Sequence, residues 1–170
     1  MFSRDDSLHY SLLSPLSRYL RDTLHFVDKR RVAVWGWSYG GFVAALSLAK
    51  SSDIFHCGIS VAPVTNWALY GILISLIAFK KKLGRFCLSL LFSDSAYTER
   101  YMGFPNITDN YKGYEEADVT KWAERLKNKM FYLIHGTADD NVHFHQSMAL
   151  VKALTSRGVL FRQQVLFFLY

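Results

Sequence analysis

The chain has 170 residues, 51% of them hydrophobic, enough for one buried core and too few for two ordinary domains. Its net charge of +6 is local: Lys80, Lys81, Lys82 and Arg85 supply four of the six charges from an acid-free segment, and the remaining +2 suits an ordinary globular surface, so a nucleic-acid-binding stripe is excluded. Two cysteines, Cys57 and Cys87, are too few for a disulfide framework and wrongly spaced for a zinc site, and neither metal nor cofactor is expected. The first residues lack the charged start and apolar core of a signal peptide. The apolar runs at 72–79 and 86–92 fall short of the roughly 18 to 20 residues that span a bilayer. No targeting segment is expected in this chain.

In chain order, residues 1–13 show no clear period. Ser14-Pro15-Leu16 reads as an N-cap followed by Pro at the first helical position, and the apolar stripe Leu16, Tyr19, Leu20, Leu24 predicts a helix ending near His25. Residues 31–35 are strand formers. They lead into Gly36-Trp37-Ser38-Tyr39-Gly40, and the small-residue segment 42–48 reads as a helix. Strand, Gly-x-Ser-x-Gly, helix is the order that builds a nucleophile elbow, with Ser38 on a tight turn whose small neighbours let its hydroxyl stand clear. The pentapeptide alone arises often by chance; the flanking elements make it specific. Residues 55–62 predict a second strand, closed by Pro63. The apolar run 130–135 has the mark of a strand buried on both faces of a parallel sheet. Residues 144–157 carry Phe144, Met148, Val151 and Leu154 at helical spacing, with Gly158 placed as C′. Residues 159–170 return to strand composition. Strands alternating with helices predict an α/β fold with a doubly wound, mostly parallel sheet. Active sites in such sheets lie at the carboxyl ends of the strands. Ser38 follows one strand and Asp139 another, with the acid later in the chain than the nucleophile. The plainer reading of Asp139 or Asp140 is a cap for the helix that follows.

Four stretches then match a known family: residues 35–41 (Trp-Gly-Trp-Ser-Tyr-Gly-Gly), 57–64 (Cys-Gly-Ile-Ser-Val-Ala-Pro-Val), 97–103 (Tyr-Thr-Glu-Arg-Tyr-Met-Gly) and 135–144 (His-Gly-Thr-Ala-Asp-Asp-Asn-Val-His-Phe). In these the chain resembles the prolyl oligopeptidase family of serine peptidases, in the group of dipeptidyl peptidase IV and fibroblast activation protein. The resemblance implies an α/β-hydrolase fold, present as a truncated catalytic domain over 26–170, after an N-terminal segment 1–25 with one helix. It implies Ser38 as nucleophile, Asp139 as triad acid and the backbone N–H of Tyr39 as an oxyanion donor. It implies that Val64, Trp67, Tyr70, Tyr97 and Val142 line a small apolar pocket for a penultimate proline, with Asn141 on the preceding carbonyl. The implied activity is removal of N-terminal dipeptides after penultimate Pro or Ala. Its partner is a peptide, with no nucleic acid, no cofactor and no metal. Parents of this kind are usually homodimeric and membrane-anchored, at the extracellular face or secreted. Without the family, Trp67, Tyr70 and Tyr97 read as plain core aromatics.

The sequence departs from the pattern in three ways. The triad His, expected after the strand that begins near Val159, is missing, and His135, His143 and His145 are poor substitutes; His145 falls on the first turn of a helix. Without a base, a serine is a weak nucleophile. Segment 71–93 is an atypical insertion that separates Tyr70 from Tyr97 by 27 positions instead of four; its composition suggests a translated intron, with a membrane-touching hairpin as the functional alternative. The resemblance implies that an upstream propeller, an anchor and a second oxyanion donor would lie outside these 170 residues, and Cys57 matches a family disulfide cysteine whose partner would fall beyond residue 170. Asn106-Ile107-Thr108 is a glycosylation sequon. The chain alone is therefore expected to be inactive. The alternatives are a truncated or pseudo-peptidase fragment that only binds partners, and an esterase or lipase on the same fold.

Overall fold

The structure is a computed structural model that describes residues 7–51, 53–70, 97–98 and 100–167, with side chains from residue 13 onward. The segments 71–93 and 168–170, on which two sequence expectations fall, lie outside the described residues, as does Cys87. The chain forms two compact units, one of Leu8–Thr65 with Val119–Tyr170, the other of Met1–Ser7 with Asn66–Asp118.

The first unit is a parallel α/β sheet of four strands in the order β1-β2-β3-β4: β1 (Ala33–Trp37), β2 (Cys57–Val61), β3 (Met130–Gly136) and β4 (Arg162–Leu166). Its helices are α1 (Ser7–Thr23), α2 (Tyr39–Lys50), a 3-10 helix (Val119–Leu126) and, after β3, a helix His145–Ser156. Sequential parallel strands need crossovers, and right-handed crossovers in this order place the connecting helices on one face. The 3-10 helix packs against both α2 and the His145–Ser156 helix. The core is the contact of that layer with the sheet: Phe42, Leu46, Leu48, Ala123, Leu126, Phe131, Leu133, Leu150 and Leu154 are all buried. Gly58 lets α2 close on β2, since a Cβ there would lie 2.7 Å from Leu48 Cδ2.

Three expectations change in detail. The predicted strand 31–35 is shifted two residues later, because the strand runs on through Gly36 and Trp37 to the turn itself, paired in register with Cys57–Val61. The first helix begins at Ser7, with Pro15 in its interior and not at its start. A proline there forfeits only its own N–H bond while the turns on either side keep theirs, so the pattern Ser-Pro does not have to mark a boundary. The stripe Leu16, Tyr19 and Leu20 faces solvent; polar ties hold α1 instead, an Arg18–Asp53 ion pair of 2.6 Å and an Arg21 bond of 2.7 Å to the Asp53 carbonyl. Finally, β3 is not buried on both faces. Phe131, Leu133 and His135 point into the core, whereas Met130 is 68% exposed and Tyr132 and Ile134 are half-buried. Trp35 and Trp37 share that open face at 70% and 68% exposure. A continuous apolar run cannot distinguish a strand covered twice from one covered once.

The second unit contains α3 (Trp67–Tyr70), helical residues Tyr97, Thr98 and 100–102, and α4 (Tyr111–Ala117); the His145–Ser156 helix is therefore α5. Asn66 starts α3, its Oδ1 accepting the Ala68 N–H at 2.9 Å and its Nδ2 donating to Asp118 at 2.9 Å. Among the described residues no helix is long and apolar enough to cross a membrane. Cys57 carries a free thiol.

Candidate active site

The strand-to-helix turn after β1 has the geometry its sequence requires. Ser38 sits at φ 55°, ψ −119°, a left-handed conformation that side-chain-bearing residues rarely adopt. Its N–H continues the parallel ladder to Val61 O at 2.9 Å, and its carbonyl accepts the first α2 bond from Phe42 N–H at 3.1 Å. A residue committed to the sheet on one side and to a helix on the other has no freedom to relax. The two motif glycines are not equivalent. A Cβ on Gly36 would lie 2.1 Å from the Gly40 carbonyl oxygen, so only glycine fits; a Cβ on Gly40 would meet nothing within 4 Å. Gly41, outside the motif, is tighter than Gly40, a Cβ there lying 2.9 Å from Val61 O, and its carbonyl accepts a 2.7 Å bond from the buried Ser60 hydroxyl. Tyr39 opens α2, where backbone N–H groups point out of the helix start and favour negative charge.

Asp139 lies in the loop after β3, two strands from Ser38 in the sheet order. Its Oδ1 accepts the N–H groups of Asn141 at 3.1 Å and Val142 at 2.9 Å, so the loop's own backbone orients the carboxylate. Behind it His135 is fully buried. His135 Nε2 lies 2.7 Å from the Val142 carbonyl, which can only accept, so Nε2 carries the proton and Nδ1 accepts from the Ser147 hydroxyl at 2.6 Å. Nε2 also lies 3.5 Å from Asp139 Oδ2. Burial pushes the His135 imidazole below its usual range, and the Val142 carbonyl and Asp139 only partly offset that. His135 is thus a neutral clamp: it fixes the Val142 carbonyl, and the N–H of the same residue in turn fixes Asp139. A second clamp joins the loop after β2 to α5. Thr65 donates its N–H to Gln146 Oε1 at 3.0 Å and its hydroxyl to the Gln146 carbonyl at 2.7 Å, all buried. Val64 and Val142, on either side of these clamps, are buried, and Asn141 is exposed.

In the other unit the three aromatics assigned to proline recognition come together. Trp67 and Tyr70 meet edge to face with ring centroids 5.9 Å apart, Tyr70 and Tyr97 likewise at 6.4 Å, and Tyr97 and Tyr101 lie tilted at 5.0 Å. Trp67 is buried, Tyr70 half-buried and Tyr97 exposed, so the row runs from interior to solvent. The 27 positions between Tyr70 and Tyr97 do not separate them in space.

The model of the prolyl oligopeptidase family matches residues 15–86 and 83–167. The chain belongs to that family. It is 44% identical over 149 residues to venom dipeptidyl peptidase 4 of Vespula vulgaris, covering 87% of this chain and 16% of that one. Over 137 residues it is 45% identical to dipeptidyl peptidase 4 of Bos taurus and 42% identical to prolyl endopeptidase FAP of Homo sapiens, in each case covering 81% of this chain and 15% of the other. The crystal structure of Porphyromonas gingivalis dipeptidyl peptidase 4 superposes with a TM-score of 0.73 at 29% identity, covering 92% of this chain and 18% of that one. The chain therefore spans less than a fifth of the length of these relatives.

Within this family chemistry a serine needs a base, and four of the described histidines can be sorted by place; His25 lies before β1. His135 has both ring nitrogens engaged in the core. His56 adjoins the amino end of β2, a strand length of roughly 17 Å from the carboxyl end where Ser38 sits. His143 and His145 precede or open α5, their rings 6.0 Å apart; burial, first of all, lowers the His145 imidazole. Among the described residues none follows β4, where Thr137 N–H pairs with Leu166 O at 2.8 Å. Sequence reasoning did not find the clamps of His135 on Ser147 and Thr65 on Gln146. Their spacings of 12 and 81 residues leave no local pattern.

Proposed function

We propose that this chain is part of the catalytic domain of a serine-type dipeptidyl peptidase, acting on peptides with a penultimate Pro or Ala. Ser38 Oγ attacks the carbonyl after that residue, and its proton passes to a His held by Asp139. The Tyr39 N–H receives the developing oxyanion, a contact worth about 3 to 4 kcal/mol in the transition state. The acyl-enzyme is then hydrolysed by water. Val64, Trp67, Tyr70, Tyr97 and Val142 take the proline ring by burial, because the ring offers no hydrogen-bond handle. Asn141 holds the preceding carbonyl. The observation that carries this reading is Ser38 in a strained elbow at φ 55°. Strain of that kind persists only where surrounding structure enforces it, and it clusters at active sites. The aromatic row and the carboxylate oriented by its own loop support it, as do relatives named as dipeptidyl peptidases. The same reading places the parent at an extracellular face or in secretions, since one relative is a venom protein.

On this reading the 170 residues alone turn over no peptide, because Asp139 holds no triad His among the described residues. The test compares the chain alone with a chimera in which its 26–166, without 71–93, replaces the matching part of the bovine relative. The chain alone releases no chromophore from a Gly-Pro conjugate; the chimera does, and leaves a short-chain ester untouched. Ester turnover by the chimera would favour an esterase. A folded chimera that turns over neither, and whose Ser38 resists a serine-directed phosphonate, would leave a non-catalytic binding fragment.

A further inference from the structure

We propose that Asn106 is an N-glycosylation site, the acceptor of an oligosaccharide from a polyprenyl-diphosphate donor. The sequence holds a single Asn-x-Ser/Thr triplet, Asn106-Ile107-Thr108. The whole triplet lies within one β-turn, closed by Asp109 N–H on the Asn106 carbonyl at 3.2 Å, and asparagine is favoured at the first position of such turns. The turn is held from beneath. Phe104 N–H donates to Asp109 at 2.8 Å, Asn110 Nδ2 to the Met102 carbonyl at 2.8 Å, and the Tyr114 hydroxyl to the Gly103 carbonyl at 2.7 Å. Its tip points to solvent: residues 106–109 are all exposed, and Ile107 is 92% exposed.

The side chains are arranged for the reaction. The Thr108 hydroxyl donates to Asn106 Oδ1 at 3.0 Å, polarising the amide and fixing its orientation. With Oδ1 so engaged, Nδ2 projects from the opposite corner of the planar amide, and no hydrogen bond holds it among the described residues. In the transfer, the Nδ2–C1 bond to the first sugar forms as the C1–O bond to diphosphate breaks. The amide nitrogen loses one proton, and the polyprenyl diphosphate departs with the electron pair. A bulky, solubilising sugar suits a rigid surface turn, and the neighbouring Ile107 is 92% exposed among the described residues.

A turn that merely favours Asn at its first position is the competing account, and it predicts no glycan. The inference rests on the proposed extracellular placement, so the test supplies that placement. The full chain behind a cleavable secretion leader is translated with microsomes, and the protease-protected fraction is treated with an N-glycosidase. The expected result is a mobility step removed by the enzyme, with Asn106 converted to aspartate in the peptide that carries it. Asn106→Gln and Thr108→Val lose the step, and Thr108→Ser keeps it. Protected chain with unmodified Asn106 would overturn the proposal. A chimera without peptidase activity would not touch this readout, so the two proposals fail separately.

Discussion

Replacing the proposed nucleophile by glycine should make the protein more stable. Ser38 is held at φ 55°, ψ −119°. Residues in such sparsely populated regions cost of order 1 to 3 kcal/mol each, and glycine, without a Cβ, escapes most of that. Against the gain stands the greater freedom of glycine in the unfolded chain, about 0.4 to 1 kcal/mol. Ser38 makes no side-chain cap bond to α2, so no cap bond is lost. The net expectation for Ser38→Gly is stabilisation by about 0.5 to 2 kcal/mol, or roughly 1 to 8 °C in Tm for a chain of this size. Ser38→Ala keeps the Cβ and the strain, and should lie within about 0.5 kcal/mol of the parent. Urea unfolding with linear extrapolation reads both variants under one slope. A Ser38→Gly protein no more stable than Ser38→Ala would refute the view that the fold stores strain at this serine.

The neighbouring glycines should respond in opposite directions. Gly36→Ala drives a Cβ into the Gly40 backbone and should destabilise by about 3 kcal/mol, whereas Gly40→Ala meets open space inside a helix and should stabilise by about 0.5 to 1 kcal/mol, both read by the same unfolding curves. Thr65→Val removes the buried hydroxyl that donates to the Gln146 main-chain carbonyl, leaving that carbonyl without its partner, and should cost about 1 to 3 kcal/mol with the α5 amides exchanging faster. The buried His135 binds its proton less readily in the folded chain than in the unfolded one. Its contribution is therefore fully present above the ordinary imidazole value of about 6.5 and is lost as pH falls below it. The urea midpoint should drop with acidification, and His135→Gln should flatten that slope; His145→Gln, at a position whose imidazole is lowered in the same direction, should flatten it too.

The parts of this fold that are local were legible in the sequence. Gly-x-Ser-x-Gly between strand formers and small residues located the elbow, and Gly158, observed at φ 65°, marked the end of α5. Both are statements about backbone conformation at one residue, which side-chain identity dictates directly. What stayed hidden depends on partners far along the chain. The run 130–135 could not reveal that its second face is open, because burial is set by other elements. The apolar stripe of α1 suggested a packed helix, yet two arginines at Asp53 hold it and leave the stripe in water. His135 was visible as a titratable residue; that it is a spent one follows only from Ser147 and Val142 meeting it in three dimensions. Tyr70 and Tyr97 show the converse, since no periodicity links residues 27 positions apart, and only family likeness suggested that they meet.

The central claim is that Ser38 is the nucleophile of a peptidase. The most direct measurement is the site of covalent attachment of a Gly-Pro phosphonate in the bovine chimera, read by mass spectrometry of the peptide spanning β1 and α2. The account predicts a single adduct on Ser38, lost together with Gly-Pro turnover in Ser38→Ala. Turnover that survives Ser38→Ala, or an adduct on any other residue, would contradict it.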